Sequence, residues 1–274
     1  MVENSYGWRK RFAFVTAAID ELAPTRVLDI GCGTGAGLTL PLARAYPGIE
    51  FVGVDSDTLS IQQAHKTPHP RNLGFSEAEP AREHQFDLVI ASEVLEHVED
   101  PSEFVAGLRD YLRPGGQLVI TVPNGYGPFE WLSLIEVLLN LSGVQRLLRA
   151  VKYWGRPSPV VEESLAVTLA VSPHVNFFSR RALFQLFGAA GLRPRRFQPT
   201  TFLCGYLVDS LIRGAAVADW NARIADHLPH AIASDWMFTL APDDIPPAKP
   251  VGPWRRNAWG RLRRHLNRRR WRLN

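Results

Sequence analysis

From Trp8 to Val122 the chain alternates stretches whose apolar residues recur every three or four positions with short, nearly continuous apolar runs. The first pattern is that of an amphipathic helix, the second that of a strand covered on both faces. A helix is predicted over Trp8–Leu22. Strands are predicted over Val27–Ile30, Glu50–Val54, Asn72–Phe75, Phe86–Ala91 and Gln117–Val122, with helices starting at Ala36, Asp57, Glu93 and Pro101 between them. Such alternation implies an α/β fold with a parallel sheet flanked by helices. "LRPGG" (Leu112 to Gly116) stops the Pro101 helix, because Pro114 cannot continue it and the glycines permit the reversal.

After Val122 the rhythm breaks. Residues 124–175 offer no clear strand; they carry the apolar helical stretch Phe129–Leu141 and a Gly/Pro-marked loop around Gly155 to Pro159, which reads as a helical cap inserted after the fifth strand. The pattern then resumes with a helix from Ser179, a strand over Arg193–Leu203, a helical run from Gly205 to Asp226 and a strand over Asp235–Leu240. A seven-stranded, mostly parallel core is thereby closed.

Composition adds limits. At 274 residues and 46% hydrophobic content the chain suits one well-packed domain. The predicted partition is an N-terminal helix (1–25), a main domain (26–241) with the cap at 124–175, a proline-rich linker (242–253) and a basic tail (254–274). Two cysteines, Cys32 and Cys204, are too few for a disulfide framework. Neither a signal peptide nor a run of about 18 apolar residues is evident, so a cytoplasmic protein, soluble or peripheral at a membrane, is expected. The net charge of +4 is unevenly spread: the tail holds nine of the 31 basic residues and no acid, leaving 22 bases against 27 acids elsewhere.

The chemistry begins at "VLDIGCGTG" (Val27 to Gly35), where a buried strand runs into glycines at 31, 33 and 35. A loop without Cβ atoms takes positive φ and lets a ligand lie against its N–H groups. Ligands of open parallel sheets bind where such a turn meets a helix N-terminus. "EFVGVD" ends on Asp55, about 20 residues further on, the position from which a carboxylate reaches ribose hydroxyls. These features specify a nucleoside ligand. "GCGTGA" also satisfies the dinucleotide fingerprint, with Ala36 as its last position. Asp29 tilts the choice, because an acid two residues before the first glycine repels a pyrophosphate and attracts a cationic amino group.

Four ordered motifs, "VLDIGCGTG", "VGVD", "FDLVIASEVLEHV" and "LRPGGQLVITVPN", resemble those of the class I S-adenosylmethionine-dependent methyltransferases. Through "HVNFFSRRALFQLFGAAGL" and "ASDWMFTLAP" the resemblance extends to about Leu240. It implies a Rossmann-like fold and S-adenosylmethionine as cofactor. It also implies that the Gly31–Cys32–Gly33–Gly35 loop faces the methionine part, Asp29 the amino group, and Asp55 with Ser56 the ribose. Glu77 or a neighbour meets the adenine, or is a solvated loop acid. Ser92 lies where cofactor and substrate meet, and serves equally well as a helix cap.

A phenol or alcohol acceptor needs its proton removed or its oxygen polarised. On a helix opening at Glu93, the side chains of Glu93, Glu96 and His97 share one face. This Glu-x-x-Glu-His pattern, with His174 following, resembles the metal-dependent O-methyltransferases that act on ubiquinone precursors and on the 3′-terminal ribose of small RNAs. Glu93, Glu96, His97 and His174 are therefore candidate metal ligands, Mg2+ being the expected ion. His97 and His174 are also candidate general bases. The alternative is structural, with acids that cap a helix or pair with arginines.

The helix in the cap offers an apolar face that lines an acceptor pocket or simply packs. The tail can bind RNA, lie on an anionic membrane with Trp254, Trp259, Leu262, Leu266 and Trp271 partly inserted, or be a solvated basic segment. Base methylation of nucleic acid is disfavoured, since "IASE" stands where N-methylating enzymes carry an Asp/Asn-Pro-Pro-aromatic motif. The expected function is methyl transfer to a small, partly apolar acceptor, most readily at oxygen. Competing readings are metal-assisted 2′-O-methylation of RNA, a nicotinamide-dependent oxidoreductase, and a non-catalytic membrane- or RNA-binding protein on the same fold.

Overall fold

A computed structural model of the chain describes residues 6–83, 85–127, 130, 131, 134, 135, 138, 142, 174–202, 215–243, 254 and 256–272. Seven strands form one sheet: β1 (Arg26–Ile30), β2 (Glu50–Val54), β3 (Leu73–Ser76), β4 (Phe86–Ser92), β5 (Leu112–Pro123), β6 (Leu192–Pro199) and β7 (Asp235–Pro242). Their order is β3-β2-β1-β4-β5-β7-β6. The first five strands are parallel, and β7 runs antiparallel between β5 and β6. Seven α-helices accompany them among the described residues: α1 (Tyr6–Leu22), α2 (Thr39–Ala45), α3 (Thr58–Lys66), α4 (Pro101–Arg109), α5 (Arg180–Ala189), α6 (Ala215–Ile224) and α7 (Ala258–Arg272).

The continuous apolar runs of β1 and β4 are explained by burial on both faces, with alternate residues serving opposite layers. Leu28, Ile30, Val89 and Ala91 join the layer of Val105 and Leu108 from α4 and Leu183, Leu186 and Phe187 from α5. Val27, Leu88 and Ile90 join the layer of Phe14, Val15, Ala18 and Ile19 from α1 and Leu40, Leu42 and Ala43 from α2. Each such aliphatic side chain withdrawn from water stabilises the fold by about 2 kcal/mol before entropy is subtracted.

Several boundaries differ from the pattern reading. The first crossover helix starts at Thr39 rather than Ala36, because the loop continues through Gly35 at φ +70° and Gly37. The Pro101 helix ends at Arg109, before "LRPGG", which instead forms a bulge in β5: Phe86 faces Leu112, and the next partners are Leu88 and Gln117. The sixth strand stops at Pro199. No helix starts at Glu93. That residue has φ +58°, residues 95–97 form a turn, and the next helix waits for Asp100, whose carboxylate accepts from the amides of Ser102 and Glu103, with Pro101 in the first turn.

Most of the cap, including the Gly155 to Pro159 loop, lies outside the described residues, as do Cys204 and the linker from 244 to 253. Glu130, Trp131, Leu134, Ile135 and Leu138 are helical, in line with the apolar stretch read there. The basic segment is a helix docked on the domain. Trp254 packs on Phe178 with ring centroids 5.2 Å apart, and Trp259 lies 5.2 Å from Trp131. Arg256 donates to the carbonyls of Val175 (3.2 Å) and Glu99 (2.7 Å) and to Asn176 Oδ1 (2.9 Å), while Arg264 pairs with Glu99 at 2.6 Å. Leu262 is half exposed. Two of the aromatic residues expected at a membrane thus pack against the protein instead. Among the described residues no helix is long and apolar enough to cross a membrane.

Candidate active site

The carboxyl ends of β1, β2 and β4 meet at the glycine loop. Gly31 and Cys32 hang from the Val54 carbonyl through their amides at 2.8 and 3.0 Å, which ties the loop to the neighbouring strand. The three glycines do different work. A Cβ on Gly31 would stand 2.4 Å from Val94, and one on Gly35 would stand 2.5 Å from the Phe75 ring. Gly33, at φ +55°, faces open space within 4 Å. Gly31 and Gly35 therefore permit close packing beneath the loop, whereas a Cβ on Gly33 would meet no neighbour.

Asp29 is buried at the root of this loop and accepts from Thr39 Oγ1 at 2.6 Å. Burial pushes its carboxyl up to about 7; the Thr39 hydrogen bond pulls it down, and Asp55 adds to the rise. Asp55 accepts from the Gly33 amide (2.7 Å) and the Asp57 amide (2.9 Å), so it clamps the glycine loop to the start of α3. Ser56 is exposed beside it. Glu77 is exposed and accepts from Thr58 Oγ1 at 3.0 Å, across from the N-terminus of α3. The Cys32 thiol is raised by burial and then by Asp29 and Asp55.

At the carboxyl end of β4, Ser92 bonds to Thr121 Oγ1 at 2.9 Å rather than capping a helix, and Thr121 Oγ1 donates to Glu93 at 2.7 Å. Arg11 of α1 lies 3.4 Å from the Glu93 carboxylate. Glu93 thus engages Thr121 and Arg11 and lies near the other candidate ligands without joining their closest group. Glu96, His97 and His174 do converge, with one ligand atom from each within 4.8 Å of the others. The convergence depends on backbone pairing: the amides of Val175 and Asn176 both donate to the Glu96 carbonyl, at 2.8 and 3.0 Å. Asn176 Nδ2 donates in turn to the carbonyls of Leu95 (3.3 Å) and Val98 (2.6 Å).

This cluster is unusually charged for its burial. Glu96 is 1% exposed, its Oε2 has no hydrogen-bond partner among the described residues, and burial together with Glu93 lifts its carboxyl far above the usual carboxylate range. Burial works against charge on His174, but the hydrogen bond its ring donates to Glu130 and the negative charge of Glu130, Glu96 and Glu93 outweigh it and bring the ring to about 9. One carboxylate and two imidazoles at this spacing suit a divalent cation. Their nitrogen content favours a zinc-, iron- or manganese-like ion over magnesium, which prefers oxygen ligands.

Four participants escaped sequence reasoning. Thr39, Thr121 and Arg11 carry no motif of their own and reach the site through packing. Asp235 begins the antiparallel β7, which brings it to the same end of the sheet; it is buried, accepts from Thr200 Oγ1 at 2.7 Å, and is raised by burial and by Glu93. A separate cleft of about 780 Å³, lined in part by Arg109, Arg113, Arg193 and Arg195, opens at the far end of β5 and includes none of these residues.

The family described as "Methyltransferase domain" matches residues 7–196, from α1 into β6. The ubiquinone biosynthesis O-methyltransferase of Bradyrhizobium sp. (strain ORS 278) is 30% identical over 155 residues, which is 54% of this chain and 58% of that protein. The mitochondrial ubiquinone biosynthesis O-methyltransferase of Rattus norvegicus is 37% identical over 113 residues, 38% of this chain and 32% of that one. The matched region thus spans between about a third and just over half of these relatives. The crystal structure of an S-adenosylmethionine-dependent methyltransferase from Mesorhizobium loti shares the fold at a TM-score of 0.50 and 14% identity, covering 88% of this chain and 99% of that one. With the 3-2-1-4-5-7-6 strand order, the glycine loop and the matched domain together, the chain belongs to the class I S-adenosylmethionine-dependent methyltransferases.

Proposed function

We propose that the protein transfers a methyl group from S-adenosylmethionine to an oxygen atom of a small, partly apolar acceptor, assisted by a divalent cation. The convergence of Glu96, His97 and His174 beside the glycine loop carries this reading. The names of the O-methyltransferase relatives support oxygen as the acceptor atom.

S-adenosylmethionine, when bound, supplies an electrophilic methyl group on a sulfonium. The protein's own contribution is positioning. Asp29 would receive the amino group, Asp55, with the glycine loop held to it by the Gly33 amide, would orient the ribose, and the Ser92–Thr121–Glu93 string would stand between cofactor and acceptor. Orientation of this kind supplies several kcal/mol of a barrier. Glu96, His97 and His174 would hold the cation, whose chemistry is to lower the pKa of a coordinated hydroxyl. Such binding would require Glu96 as the carboxylate and both imidazoles neutral.

The test is calorimetric titration with S-adenosylhomocysteine, followed by a panel of phenols and lipids incubated with S-adenosylmethionine and Mn2+ or EDTA. Methylated product is detected by mass. His174→Ala is expected to lower product formation by about 10²-fold or more while S-adenosylhomocysteine affinity stays within about threefold. Folded protein that binds no S-adenosylhomocysteine would overturn the cofactor assignment. Methylation indifferent to EDTA and to His174→Ala would overturn the role of the cluster.

A further inference from the structure

The C-terminal helix is tied to His174 by a chain of buried polar contacts that the methyltransferase family match, which ends at residue 196, does not include. Arg263 of α7 is 1% exposed. Its Nη1 donates to the Glu130 carbonyl at 2.8 Å and its Nη2 to Glu130 Oε2. The other oxygen of the same carboxylate, Glu130 Oε1, lies 3.2 Å from His174 Nδ1. The guanidinium is held over the Phe177 ring at 5.0 Å, three residues beyond the histidine. Arg256, two residues before the helix, grips the adjoining segment through Val175 O and Asn176 Oδ1. Two arginines of the C-terminal segment thus hold the residues that follow His174 and, through Glu130, its ring.

A buried Arg–Glu pair is a poor way to stabilise a fold, because removing both charges from water costs nearly as much as their attraction returns. What such a pair does well is fix geometry. A carboxylate that accepts from Nδ1–H locks the ring plane and leaves the lone pair of a neutral ring on Nε2, the nitrogen then available to a metal ion. Glu130 can hold that pose only if its own carboxylate is held, and the two donors of Arg263 hold it.

We infer that Arg263 is a positioning residue of the active site: acting through Glu130, it sets the orientation and tautomer of His174, so that the basic C-terminal helix completes the Glu96–His97–His174 cluster. This rests on the proposed role of the cluster, and the following measurements separate the two.

The full-length protein and its Arg263→Met, Arg263→Lys and Glu130→Gln variants are compared by three readouts. S-adenosylhomocysteine affinity reports an intact fold and is expected to stay within about threefold. Titration with Co2+ and Zn2+ reports the cluster, and affinity is expected to fall about 10- to 100-fold in Arg263→Met and Glu130→Gln. Combining the two substitutions is expected to add little, because both interrupt one connection. The third readout is the hydrogen-bonded Nδ1–H resonance of His174 in proton–nitrogen spectra. It is expected to be protected from exchange in the parent and lost in both variants, and it needs no metal. Arg263→Lys, which keeps the charge but not the paired donors, is expected to fall between.

If the parent binds neither cation while the Nδ1–H protection still depends on Arg263, the positioning stands and the metal reading fails. If Arg263→Met and Arg263→Lys keep both the resonance and the parent cation affinity, Arg263 is a packing residue and the inference is overturned. Should Arg263→Met lose S-adenosylhomocysteine binding through unfolding, Arg263→Lys and Glu130→Gln decide by the same two readouts.

Discussion

Asp29 shows how one side chain can be read twice. Its place before the glycines marked it as the partner of a cationic amino group, and its burial beside Thr39 gives that pairing a pH dependence. The folded carboxyl titrates near 7 against 3.8 for an unperturbed one. The ligand-free protein therefore loses stability as the pH rises from about 4 toward 7, because the unfolded chain ionises this acid more readily. A bound ammonium reverses that preference. S-adenosylhomocysteine affinity is expected to rise as the pH approaches about 7 from below and to level off above it. Asp29→Asn is expected to flatten the curve and to cost about tenfold or more at the upper end, as loss of a hydrogen bond to a charged group does. Calorimetry across that range checks both, and an affinity indifferent to pH in the parent protein would remove Asp29 from the amino-group site.

At the scale of elements, the loop joining β1 to α2 depends on glycine for two separate reasons. Gly31→Ala and Gly35→Ala each force a side chain into a left-handed backbone and against Val94 or Phe75, at a combined cost of about 2 to 5 kcal/mol. Gly33→Ala meets nothing within 4 Å and is expected to cost about 1 kcal/mol in stability while lowering S-adenosylhomocysteine affinity more than about tenfold. Urea unfolding and calorimetry on the three variants distinguish packing from ligand contact. The element after β4 was less legible. Helical spacing grouped Glu93, Glu96 and His97 on one face, but the positive φ of Glu93 turns its carboxylate to Thr121 and Arg11, and Pro101 with its Asp100 cap delays the helix. Periodicity carries no signal for a single left-handed residue. The pairing of Glu96 and His97 survives for a different reason, namely that the His174 segment is hydrogen-bonded to the Glu96 carbonyl.

For the molecule as a whole, the uneven charge of the sequence becomes an internal contact. The acids Glu99 and Glu130 of the main domain meet Arg256, Arg263 and Arg264 of the basic tail. Arg256→Ala removes donors to Val175, Asn176 and Glu99. Hydrogen exchange of the amides over 258–266 is expected to quicken by about tenfold or more, with those of β1 and β4 unchanged, since local opening requires only the helix to detach. Unchanged exchange would show that the aromatic contacts of Trp254 and Trp259 suffice to hold it.

The sheet, its mostly parallel order, the glycine loop with Asp29 and Asp55, and the cofactor class were all written in local sequence, because each follows from a short-range rule: alternate burial along a strand, positive φ at glycine, an acid at a strand end. Only the tertiary structure could show that Glu93 engages Thr121 and Arg11, that Asp235 arrives from the antiparallel strand, and that Arg263 of the tail meets Glu130 beside His174. Those outcomes depend on polar groups far apart in the chain finding each other, and no local pattern records which opposite charge a buried arginine will meet.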